Sequence, residues 1–130
     1  MELLLDTHAA LWWAAGGNDT NDSLAPEAAD AIASRSNTVW FSVASAWELA
    51  IKVRSGRLVV DVEKLVVLLT RNGARMLGIG IDDAIAAGAL NWTHKDPFDR
   101  MLVAQASRLG LTLVTRDEPI RRFTPNHLLA

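Results

Sequence analysis

Leu3-Leu4-Leu5-Asp6-Thr7-His8-Ala9-Ala10-Leu11-Trp12-Trp13-Ala14-Ala15-Gly16-Gly17 sets a strand, a carboxylate and a helix side by side. Three apolar residues in unbroken succession read as a strand buried on both faces, the habit of parallel sheets covered by helices. The helix from Thr7 to Ala15 is ended by the Gly16-Gly17 pair. A strand that runs through an acid straight into a helix is the first half of a strand–helix–strand unit. Its carboxyl end is where open α/β sheets place their ligands.

The rest of the chain repeats this alternation. A polar loop spans Asn18 to Ser23, and a helix from Pro26 to Ser34 starts with Pro near its first position and Glu27 at its positive end. Val39 to Phe41 is a strand. Ser42 caps a helix through Arg54 that Gly56 terminates, and Asp61 caps another from Val62 to Arg71, stopped by Asn72-Gly73. Met76 to Ile79 is a third strand, Asp82 caps a helix from Asp83 to Leu90, and Asn91 to Lys95 is a loop. The last long helix runs from Pro97 to Leu109 behind the cap Asp96, with Gly110 as its stop. Strand Leu111 to Val114, a turn near Pro119 and a short apolar tail at Leu128-Leu129 follow. Strands and helices in alternation predict an α/β fold, a parallel sheet with helices on both faces. The adjacent Trp12 and Trp13 cannot face the same side of one helix, which points one of them towards a subunit interface.

At 130 residues, half of them hydrophobic and 22% charged, the chain is read as one globular domain over residues 1–130. With no Cys, it has no disulfides, thiolate metal sites or Cys nucleophiles, in keeping with a reducing cytosol. Met1-Glu2 and only three apolar residues after it make a poor signal peptide, and no uncharged run approaches the roughly 20 residues a membrane helix needs. A soluble, cytoplasmic protein is expected. The net charge of −2 argues against binding nucleic acid by bulk charge alone, although ten of the thirteen basic residues are Arg.

Four acids stand where such a fold brings residues together. Asp6 closes the first strand and Asp117 follows the last, so in a parallel sheet both lie at one edge. Asp99 lies in the first turn of the Pro97 helix, where the helix dipole alone would favour an acid and where a phosphate could also be held. Glu48 has Lys52 one turn on, as a surface pair would, but its setting of Ser45-Ala46-Trp47-Glu48-Leu49-Ala50-Ile51 is too apolar for a solvated face. Asp117 read alone is a turn residue before Pro119, and Asp82 and Asp83 read as a helix start. Four converging carboxylates require cations or protons to offset their repulsion. Oxygen donors without Cys suit Mg²⁺, with Mn²⁺ as an alternative, rather than Zn²⁺. Such ions acidify a bound water and neutralise a leaving oxygen, chemistry that leads to phosphodiester hydrolysis.

Leu3-Leu4-Leu5-Asp6-Thr7-His8, Ser45-Ala46-Trp47-Glu48-Leu49-Ala50-Ile51-Lys52, His94-Lys95-Asp96-Pro97-Phe98-Asp99-Arg100 and Leu113-Val114-Thr115-Arg116-Asp117 together resemble PIN-domain ribonucleases, in particular the VapC-type toxins of bacterial toxin–antitoxin pairs. Each segment is common alone. Their order and spacing carry the resemblance across nearly the whole chain. It implies a three-layer α/β/α sandwich with a central, mainly parallel sheet, a homodimer, Mg²⁺-dependent endonucleolytic cleavage of RNA, and inhibition by an antitoxin whose carboxyl-terminal arm covers the active site. Asp6, Glu48, Asp99 and Asp117 then match the family's metal-binding catalytic acids, and Thr115 a hydroxyl beside them. Arg100, Arg116, Lys52 and Lys95 become substrate-side candidates, with Arg100 and Arg116 equally able to neutralise neighbouring acids. His94 is either an RNA contact or proton donor, or a loop histidine held by a structural hydrogen bond.

Two other readings stand beside this one. An α/β phosphatase or phosphotransferase would use Asp6 as nucleophile, but enzymes of the haloacid dehalogenase type carry a second acid two residues on, where this chain has His8. The other is a PIN-fold binding module without activity.

Overall fold

Strands β1 (Glu2–Leu5), β2 (Thr38–Ser42), β3 (Arg75–Leu77), β4 (Thr112–Thr115) and β5 (His127–Leu129) form one sheet in the order β3-β2-β1-β4-β5, and every pair in it is parallel. The structure is a computed structural model that describes residues 1–16 and 23–130; the loop expected over Asn18–Ser23 lies, apart from Ser23, outside the described residues. Among the described residues seven helices connect and flank the strands: α1 (Thr7–Ala14), α2 (Pro26–Ala33), α3 (Val43–Arg54), α4 (Val62–Arg71), α5 (Ile81–Ala89), α6 (Pro97–Leu109) and α7 (Glu118–Phe123).

β1 is the central strand of the five, and its three leucines are covered on both faces. Leu3, Leu4 and Leu5 are fully buried, and a leucine taken out of water contributes about 2 kcal/mol. The pleat divides them. Leu3 and Leu5 join Val39, Phe41 and Val114 in a core completed by residues of α1, α2, α3 and α4. Leu4 joins Leu113 on the opposite face, with Leu102, Val103 and Ala106 of α6 and Ile120 of α7. Two cores on one sheet make the three-layer α/β/α arrangement expected from the alternation of elements.

The register brings three strand ends level, with Leu5 beside both Phe41 and Val114. The chain passes from β1 to β2 on one side, while β4 enters on the other. A crevice therefore opens at the carboxyl ends, next to Asp6. The Asp6 N–H extends the β1–β4 ladder by donating to the Val114 carbonyl at 3.0 Å.

Local capping follows the sequence in most places. The side chains of Ser42, Asp61 and Asp96 cap α3, α4 and α6, and Gly110 ends α6 in the left-handed conformation at φ 68°. Five readings are corrected. The third strand is Arg75–Leu77 and stops before Ile79. The cap of α5 is Gly80 rather than Asp82, and Asp83 reaches back to the Gly80 N–H at 2.9 Å. Asp83 is more than a helix start: it is buried and takes hydrogen bonds from Arg108 and Gln105 on α6. The turn near Pro119 is helix α7, and the apolar tail is the edge strand β5.

Gln105 joins these elements from the inside. Fully buried, it accepts from the Ser42 hydroxyl at 2.7 Å and donates to the Gly78 carbonyl at 3.1 Å. The cap of α3 is thus tied to α6.

Candidate active site

Asp6, Glu48, Asp99 and Asp117 line a single cavity of about 190 Å³ at the carboxyl edge of the sheet, together with Thr7 and Lys52. Each acid is delivered by a helix. Asp6 caps α1 by accepting from the Ala9 N–H at 2.8 Å, and Asp117 caps α7 by accepting from the Ile120 N–H at 3.1 Å. Asp99 stands in the first turn of α6, and Glu48 faces the cavity from α3. The positive ends of α1, α6 and α7 converge on the acids and offset part of their repulsion.

That compensation is incomplete. Burial pushes the Asp6 carboxyl above its ordinary range, against opposing hydrogen bonds from Thr115 and the Ala9 N–H and the nearby His8, while the charge of Asp117 adds to the rise. Burial likewise pushes Asp99 up to about 6; the hydrogen bond to His94 opposes this, and the charges of Asp96 and Asp117 reinforce it. Among the described residues neither Asp6 nor Asp117 is in an ion pair. The folded protein therefore places negative charge in this cavity without matching it, and a cation would relieve the deficit.

The remaining donors settle how each acid is held. The Thr7 hydroxyl donates to Glu48 Oε1 at 2.6 Å, and Lys52 Nζ lies 3.4 Å from Glu48 Oε2. His94 Nε2 meets Asp99 Oδ2 at 2.7 Å. Thr115 is fully buried, hydrogen-bonds Asp6 and accepts the Asp117 N–H at 3.1 Å, so one hydroxyl spans both strand-end acids. Asp96 keeps to capping α6, accepting from the Phe98 and Asp99 N–H groups.

The arginines are placed differently from the expectation. Arg116 donates to the main-chain carbonyls of Ala130 and Ser23 and lies 4.2 Å over the Trp12 ring. Arg100 donates only to main-chain carbonyls, which leaves no N–H for a phosphate. Lys52 and Lys95 remain, Lys52 on the wall of the cavity and Lys95 on an exposed stretch just before Asp96.

Among the described residues no three His, Asp or Glu side chains are grouped tightly enough to ligate one ion directly. A cavity lined by four carboxylates, two of them under-compensated, fits an ion that keeps several of its own waters, as Mg²⁺ does. His8 also reaches this cavity, and sequence reasoning passed over it. Its position two residues after Asp6 was the available signal, since the first turn of a helix beginning at a strand end points at the same crevice.

A family model described as PIN domain matches residues 3–124 of the chain. Among solved structures, a chain of the crystal structure of VapBC2 from Rickettsia felis bound to a DNA fragment from their promoter is similar in fold, with a TM-score of 0.67 and 18% identity. The alignment covers 100% of this chain and 98% of that one. No curated protein matches.

Proposed function

The chain belongs to the PIN-domain family, and on that premise we propose that it is a metal-dependent endoribonuclease of the VapC type, the toxin of a toxin–antitoxin pair in the cytoplasm. The observation that carries the reading is the convergence of Asp6, Glu48, Asp99 and Asp117, distant in sequence, on one cavity where Lys52 pairs with Glu48 while Asp6 and Asp99 stay under-compensated.

Asp6 and Asp99 would hold Mg²⁺, or Mn²⁺ in its place, with Glu48 and Asp117 completing the acidic wall. When bound, such an ion supplies an acidified water and neutralises charge on the scissile phosphate. One of the four carboxylates accepts the proton of the attacking water. Thr115 holds Asp6 and the backbone of Asp117 in register, and Thr7 does the same for Glu48. Lys52 and Lys95 supply positive charge on the substrate side, with the phosphate backbone of RNA as their partner. RNA is the substrate in this reading.

Partners follow the same logic. The likeness to a chain of VapBC2 supports an antitoxin as the protein that silences this site. A homodimer is supported by exposed Val43, Trp47 and Ile51, one turn apart along α3, and by exposed Ile81 and Ile85, one turn apart on α5.

Incubation of total RNA with the purified protein in Mg²⁺ buffer tests the reading. Cleavage is expected from the native chain and is lost in Asp6→Asn and Asp99→Asn, with folding retained by circular dichroism. Cleavage undiminished in both variants would overturn it.

A further inference from the structure

Helix α5 ends without the usual device. Its last position leads into Leu90, which is extended at φ −54° and ψ 128°, and no glycine turns the chain back to satisfy the final carbonyls. Arg100, from the first turn of α6, does this instead. Its Nε donates to the Ala87 carbonyl at 3.0 Å, one terminal nitrogen to Trp92 at 2.7 Å and His94 at 3.1 Å, and the other to Gly88 at 3.2 Å and Leu90 at 2.9 Å. A guanidinium has five N–H donors, and five carbonyls receive them. Among the described residues no carboxylate forms an ion pair with Arg100; its charge sits at the negative end of α5.

The loop held in this way carries an aromatic stack. The Trp92 ring lies between Phe123 of α7, at 4.6 Å and 13°, and His94, at 4.5 Å and 23°. His94 then meets the Asp99 carboxylate at 2.7 Å. Adjacent residues of α6 thus grip the same loop twice: Arg100 takes its backbone, and Asp99 takes the histidine that the backbone presents.

We propose that Arg100 is a positioning residue, which fixes the loop from Leu90 to His94 so that His94 holds the Asp99 carboxylate in its orientation within the cavity. It acts through the loop and makes no contact with RNA. Lys cannot replace it, because an ammonium has three donors and no planar fork to reach carbonyls on several sides.

Two measurements on the full chain test this, and only the second rests on the nuclease reading. In proton NMR, the His94 ring signals of the native protein are displaced by the Trp92 ring current. Arg100→Gln and Arg100→Lys are expected to lose that displacement while the signals of His8 and His127 stay in place. In RNA cleavage, Arg100→Gln is expected to lower kcat about 10-fold with KM unchanged, as slight misplacement of a catalytic group does. Adding His94→Ala to it should cause no further loss. Unchanged His94 signals in either variant, or losses in the double variant that multiply, overturn the proposal. Unfolding of both single variants also overturns it, since Arg100 would then serve the fold rather than the site. A native chain that cleaves no RNA contradicts the nuclease reading, while the histidine signals still decide the role of Arg100 on their own.

Discussion

Thr7 and Glu48 are joined by a 2.6 Å hydrogen bond that spans 41 positions of sequence, from the first residue of α1 to the middle of α3. It ties Glu48 to the residue that follows the strand-end acid Asp6. Thr7→Val keeps the shape and removes the donor. The expected cost is about 1.5–3 kcal/mol, the range for hydrogen bonds to charged groups, read as a lower urea midpoint with an unchanged slope. Cleavage should fall with it, because Lys52 alone then holds Glu48.

Asp99→Asn should stabilise the protein in the absence of divalent ions. The folded-state value of about 6 lies above the ordinary 3.8, so the stability that Asp99 contributes is present below about pH 4 and is lost as the pH rises through 6. At pH 7 the ionised group costs on the order of 2 kcal/mol, which the neutral amide avoids. Urea unfolding in chelator at pH 7 should show the variant ahead of the native chain, with the gap closing as the pH is lowered towards 4. A native chain more stable than the variant at pH 7 would contradict the unmatched charge.

Mg²⁺ or Mn²⁺ should raise the melting temperature of the native chain. A ligand at a hundred times its dissociation constant adds about 2.7 kcal/mol, and each kcal/mol moves the melting point of a chain this size by roughly 3–5 °C. The shift should vanish in the Asp6→Asn, Asp99→Asn double variant. Calorimetry across a concentration series checks this without any substrate.

Asp83→Asn should weaken the fold without touching the acidic cavity. Burial alone would raise this carboxyl, but the Gly80 N–H, Arg108 and Gln105 outweigh it and hold the group below its ordinary range. Its contribution is therefore present above about pH 4 and is lost as the pH falls through the folded-state value. Arg108 keeps part of its hydration, so the expected loss is about 2 kcal/mol rather than the full cost of breaking a buried pair. Unfolding followed downwards from pH 7 should show the difference from the native chain at its full size above about pH 4 and shrinking as the pH falls below that.

Much of this architecture was legible in the chain because it rests on short-range rules. The unbroken Leu3–Leu5 run marked the doubly covered centre of the sheet, and Asp96 followed by Pro97 marked the start of α6. The same cap signature recurs at Asp117, with Pro119 in the first turn of α7, yet six helical residues are too few for periodicity to reveal. Three-residue β5 escaped for the same reason and takes its place only by pairing with β4. The four acids were legible as residues at strand ends and helix starts. Their holders were less so: the i, i+4 spacing offered Lys52 to Glu48 only as a surface pair that the apolar setting argued against, and the Thr7 bond to Glu48 joins distant residues. Arg100 was the least legible, since its partners are backbone carbonyls, which every residue possesses and no sequence pattern announces.

The placement of β1 also sets a clock. One of its two neighbours is β4, made more than a hundred positions later, and Asp6 has no carboxylate from across the sheet until that strand arrives. During synthesis Leu3–Leu5 must wait with one edge unpaired, a slow and exposed arrangement for a parallel sheet. Translation products that stop short of Thr112 hold at most three of the four acids and no frame to gather them. The acidic cavity therefore cannot assemble until the strand that completes it has emerged.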